Sequence, residues 1–123
     1  MSLGELLECL AALVPERVII NGNPKAAHRQ VIVVIEGNVR EIGWFHDQSY
    51  SPSMGIMGAL RLEYALREEI EARGWSTSLD IRPTGGDRAC CAVIYTPQFR
   101  SAHAPTPAHA LAAALVQGLE AGG

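Results

Sequence analysis

Apolar positions along this chain switch between two spacings, and the switches divide it into helices and strands. Leu6, Leu7, Leu10, Leu13 and Val14 recur at helical spacing behind Ser2-Leu3-Gly4-Glu5, which has the spacing of a capping box. That pattern predicts a helix over 3–14, closed by Pro15. Arg17 to Ile20 is short and β-branched and runs into Asn21-Gly22-Asn23-Pro24, so it reads as an edge strand with a turn behind it. Residues 24–29 read as an exposed loop. Val31 to Ile35 is a run of successive apolar residues, the pattern of a strand covered on both faces. Gly37-Asn38 then predicts a hairpin with Gly first in a type II′ turn, and Val39 to Phe45 is the return strand.

After His46-Asp47-Gln48-Ser49-Tyr50 comes the element that organises the chain, a helix expected from the Ser51 cap and Pro52 to about Arg73. Ile56, Ala59, Leu60, Leu62, Leu66 and Ile70 give it a broad apolar face, and Gly74 suits its C-terminal cap. Glu63 with Arg67 and Glu69 with Arg73 stand four apart in the favourable order, each pair worth about 0.3–0.5 kcal/mol. Trp75 to Arg82 alternates as a half-buried strand, Pro83 to Asp87 is a turn, and Ala89 to Tyr95 is apolar on both faces. Residues 96–106 carry no period and read as a loop. Thr106-Pro107 opens a last helix, alanine-rich and apolar nearly all round, from Ala108 to Leu119.

Two hairpin-then-helix units thus follow one another, at about 30–73 and 75–119. The expected fold is α+β, a three-layer α-β-α sandwich around a mainly antiparallel sheet of about four strands. A two-layer version, with one sheet face covered by a partner subunit, is the alternative. The 123 residues suffice for one domain: an N-terminal helix over 1–16, the sandwich over 17–120 and a frayed tail at 121–123.

Composition narrows the function more than it defines it. A hydrophobic fraction of 48% argues against wholesale disorder. The net charge of −3 and pI near 5.8 supply no general attraction to nucleic acid or anionic lipid. Cys9, Cys90 and Cys91 build no disulfide framework, and the adjacent pair must point to opposite strand faces, so buried reduced thiols are expected. No apolar run spans a bilayer, and a cytoplasmic protein is the expectation.

Several stretches together resemble the phage ABA sandwich domain, a small family of phage and prophage proteins. They are Trp44 to Met54 (WFHDQSYSPSM), the helix ending Ala72-Arg73-Gly74-Trp75, and Pro105 to Leu115 (PTPAHALAAAL). The likeness covers about residues 40–120, on Trp44, Asp47, Tyr50, Ser51 and Pro107. Met54 departs from the pattern, which more usually has an acidic residue near that helix start. The resemblance implies the sandwich fold, a phage origin and hence a bacterial cytoplasm, and it brings no catalytic residues.

Three function classes follow. The first is a non-catalytic accessory protein that binds another protein, either itself or a host factor, inhibition of host machinery being one role such binding would serve. Its candidate contact residues are Trp44, Phe45, His46, Asp47 and Tyr50, since Trp and Tyr are favoured interface anchors. The second is a nucleic-acid-binding module using Arg82, Arg88 and Arg100 around the second hairpin, diluted by Asp80 and Asp87. The third is a small enzyme using His46 and Asp47 as an acid–base pair. Neighbouring residues seldom converge on one proton, so Asp47 reads first as a turn organiser. His28, His103 and His109 show no metal-ligand spacing, and no catalytic residue, metal or cofactor is assigned.

Overall fold

The computed structural model describes residues 1–23, 26–46, 52–82 and 84–121. These form three helices and two antiparallel three-stranded sheets. In chain order the elements are α1 (Leu3–Leu13), β1 (Val18–Asn21), β2 (His28–Ile35), β3 (Asn38–His46), α2 (Ile56–Ala72), β4 (Ser76–Ile81), β5 (Cys90–Tyr95), β6 (Phe99–Ala104) and α3 (Pro107–Glu120). The expected α+β class is present. In place of one sheet of about four strands, the strands are shared between two sheets, β1-β2-β3 and β4-β5-β6. The chain divides into two compact units, Met1–Ala65 and Leu66–Gly123, with α2 running through the boundary.

In the first unit, the Ser2 hydroxyl accepts from the Glu5 N–H, and the Glu5 carboxylate accepts from the Ser2 N–H, closing the capping box. Those bonds, the Ser2 backbone one first, hold the Glu5 carboxyl below its ordinary value. Leu6, Leu7, Leu10 and Val14 are buried, and α1 packs beside β1. β2 is the central strand, with Val31, Ile32 and Val33 buried. The turn beyond it consists of Glu36 and Gly37, one residue earlier than expected, because both take positive φ (50° and 78°) and Ile35 pairs with Asn38. Positive φ at both central positions is the type I′ signature, which matches strand twist. The Tyr64 hydroxyl donates to the Glu36 carboxylate at 2.8 Å and so braces this turn.

The pairing of β2 with β3 slips by one residue at Ile42. Ile32 faces Glu41, whereas Val31 faces Gly43, leaving Ile42 as the extra residue on β3. Beyond the slip, the outer edge of β3 is taken up by the chain that follows. Trp44 and Ser53 exchange backbone hydrogen bonds of 3.0 and 2.8 Å, and Arg61 donates to the Glu41 carbonyl at 3.1 Å. Such close approach demands missing side chains. A Cβ on Gly43 would strike the Ser53 carbonyl, and one on Gly58 the Ile42 carbonyl. Ser53 therefore belongs to a β-bridge and α2 begins at Ile56, later than Pro52. The expected Ser51 cap lies outside the described residues.

The expected apolar face of α2 is corrected in the same place. Leu62, Ala65, Leu66 and Ile70 are buried, but Ile56 and Leu60 are exposed.

In the second unit, α2 ends with Gly74 at φ 76°. The Trp75 N–H returns to the Ile70 carbonyl (3.1 Å) and the Gly74 N–H to that of Glu71 (2.9 Å), a Schellman closure. The Glu69–Arg73 ion pair forms at 2.8 Å, and the Arg73 guanidinium lies over the Trp75 ring. Residues 99–104, expected within a loop, form β6 against β5. β5 is central, and its pairing keeps one register on each side. Cys90, Ala92 and Ile94 are buried while Cys91 and Val93 are half-buried and Tyr95 is exposed, so β5 is covered on one face rather than both. α3 packs on β5 and β6, opening with the Thr106 hydroxyl accepting from the His109 N–H and Pro107 in the first turn. α3 thus covers one face of this sheet, while on the other Ser76, Ser78, Asp80, Tyr95, Phe99 and His103 are exposed and Cys91, Val93 and Ser101 half-buried.

Candidate functional site

The residues singled out around Trp44 separate by strand alternation. Phe45 is fully buried, with the Arg29 guanidinium over its ring at 4.7 Å, and is a core residue. Trp44 and His46 point the other way. Trp44 is 38% exposed, its indole N–H donating to the Glu41 carboxylate, and His46 is exposed. Asp47 and Tyr50 lie outside the described residues, so the His46–Asp47 acid–base pairing has no geometry to assess.

Next to this strand, α2 presents what the sequence pattern concealed. Ile56, Met57, Leu60 and Tyr64 are 83%, 62%, 54% and 50% exposed. Ile56, Leu60 and Tyr64 stand at i, i+4 and i+8, so they form one stripe along the helix. The signal lay in the sequence: Ile56 and Leu60 are four apart, as are Leu62 and Leu66, and two apolar stripes on a single helix leave one outside.

The arginines also part company. Arg82 and Arg88 line one cavity of about 260 Å³ at the end of β4-β5-β6, together with Asp80, Gly85, Ala89, Cys91 and His103. Arg88 lies 3.3 Å from the His103 Nδ1, and Asp80 holds Arg82 at 3.4 Å with both exposed. Asp80, Cys91 and His103 form one cross-strand row, since Asp80 pairs with Cys91 and Cys91 with His103. Arg100 does not join them. It pairs with Ile94 on the α3 side of the sheet and reaches the Gln98 side chain at 2.6 Å. At the other end of the exposed face, Tyr95 and Phe99 are paired and meet edge to face, with centroids 5.9 Å apart.

A third cluster brings together His28 and His46, directly opposite one another on β2 and β3. No group of three or more His, Cys, Asp or Glu residues is placed to hold a metal among the described residues. No helix among them is long and apolar enough to cross a membrane. Compared with family models, curated proteins and solved structures, the chain matches none.

Proposed function

We propose that this is a small, non-catalytic, phage-type accessory protein that acts by binding another protein, a host factor or a second copy of itself. The observation that carries the reading is the exposed stripe Ile56, Met57, Leu60 and Tyr64 on α2. Large side chains set together in water lose their hydration cost only when something covers them, and clustered apolar exposure marks interaction surfaces. Trp44 and His46 of β3 extend the surface proposed from the sequence, while Phe45 leaves it. The likeness to phage ABA sandwich proteins belongs to this proposal and rests on the sequence pattern.

The test is oligomeric state by light scattering across a concentration series, together with capture from a bacterial host lysate. Both are run on the native chain and on Leu60→Glu, whose site is already solvated and so leaves folding intact. A stoichiometric complex lost in Leu60→Glu is the expected result. A strictly monomeric protein that retains no partner, or a complex indifferent to Leu60→Glu, removes the proposal.

A second reading, binding of single-stranded nucleic acid, draws on the exposed face of β4-β5-β6. Tyr95 and Phe99 offer rings for base stacking, and Arg82 and Arg88 at the far end offer phosphate contacts. Binding that weakens steeply with salt and falls in Arg82→Ala/Arg88→Ala supports it. Salt-insensitive or absent binding disposes of it.

A further inference from the structure

The end of the first hairpin away from its turn holds a histidine pair of which the proposed function uses only His46, and that as a surface residue. His28 opens β2, His46 closes β3, and their Nδ1 atoms lie 3.0 Å apart. The ring centroids are 5.1 Å apart and the planes cross at 75°. A neutral imidazole has one donor and one acceptor nitrogen, so in the neutral pair one proton bridges the gap. A cation that accepts both lone pairs can take that proton's place, each ring then carrying its proton on Nε2. With metal–nitrogen bonds of about 2.0–2.1 Å, nitrogens 3.0 Å apart subtend about 90° at the metal. That is the cis angle of tetragonal coordination, which suits Cu²⁺ or Ni²⁺ better than tetrahedral Zn²⁺.

The backbone is what creates this bite. Carried on in the register of the hairpin turn, where Ile35 faces Asn38, His28 would face Phe45. The extra residue Ile42 shifts the far half of β3 by one, and the two histidines become partners. The neighbouring cation is also kept away: Arg29 lies on the opposite face, bound to Glu8 at 3.0 Å and stacked on Phe45. Both histidines are exposed, so water can fill the remaining coordination positions.

We propose that His28 and His46 form a bidentate chelate for a late first-row divalent cation, of which Cu²⁺ and Ni²⁺ fit best. The experiment titrates the full chain with Cu²⁺ alone, in a non-coordinating buffer, by calorimetry and electron paramagnetic resonance. One equivalent is expected, with hyperfine structure from two imidazole nitrogens, weaker binding of Ni²⁺, none of Mg²⁺, and loss of affinity on acidification. Because the second nitrogen binds intramolecularly, His28→Gln or His46→Gln should each lower the Cu²⁺ affinity by about tenfold or more. His103→Gln should leave it unchanged. Equal Cu²⁺ binding by the native chain and the His28→Gln/His46→Gln variant overturns the proposal. So does a resonance spectrum of the native chain without two coordinated nitrogens, a result that requires no variant.

Discussion

In the first unit the pairing of β2 with β3 slips by one residue at Ile42, whereas in the second every pair from Ser76 to Ala104 keeps a single register. The slipped sheet brings two histidines face to face and seals its β3 edge with the Ser53 segment and the start of α2. The unslipped sheet lines up rows instead: Asp80, Cys91 and His103 at one end, Ser76, Tyr95 and Phe99 at the other. One unit is thus built on an irregularity with close backbone approach, the other on regular pairing under an alanine-rich helix. The difference teaches that register, rather than residue type, decides which side chains can act together.

That contrast can be broken at its supports. The largest effect is expected in the regular unit, where Leu111→Ala empties a fully buried position of α3 and should destabilise by about 3 kcal/mol in urea unfolding. In the irregular unit the sharpest test is Gly58→Ala. Glycine to alanine inside a helix ordinarily stabilises by about 1 kcal/mol. Here the new methyl meets the Ile42 carbonyl, so the sign should reverse, to a loss of about 2 kcal/mol. A stabilised Gly58→Ala protein would show that α2 does not sit this close to β3.

Smaller effects compare the two helix starts. Thr106→Ala removes the hydroxyl that caps α3 and should cost about 1 kcal/mol, read as a lowered denaturation midpoint at unchanged slope. At α1 the test is pH. The Glu5 carboxyl is depressed below the ordinary glutamate value of 4.5, so its contribution is present at neutral pH. It is lost as acid protonates the group, falling away through and below that value. The Glu5→Gln variant should therefore lack a small acid-side decline in melting temperature that the native chain shows. Identical pH profiles would remove the charged capping box.

Local signals were the legible part of the sequence. The Ser2–Glu5 box, the Thr106-Pro107 start and the Gly74 terminus each depend on residues a few positions apart, and each forms. The strand β6 was hidden because its inward positions are Arg100, Ala102 and Ala104, too polar or too small to mark a period between Pro97 and Pro105. The His28–His46 pair was hidden for another reason. Histidines eighteen residues apart meet only if the ladder slips, and nothing in the composition of β3 announces the extra residue. Arg82 and Arg88 line one cavity at the end of the second hairpin, whereas alternation sends Arg100 to the other face. The sandwich expected as a single sheet dissolves into two three-stranded ones, for pairing partners are a long-range property.

The last helix carries a consequence of its own. α3 has the plainest composition in the chain, yet Ala108, Ala110, Ala112 and Ala114 are all buried, and Gly118 lies against the Trp75 ring and Thr96. Small side chains permit such closeness, and in a close-packed interior a larger residue at the buried alanines would force its neighbours to shift. Over evolutionary time this repetitive-looking segment is the one with least freedom to drift, while the exposed positions of α2 are less constrained by packing. Among descendants of this sequence, simplicity at the C-terminus should persist where more elaborate stretches change.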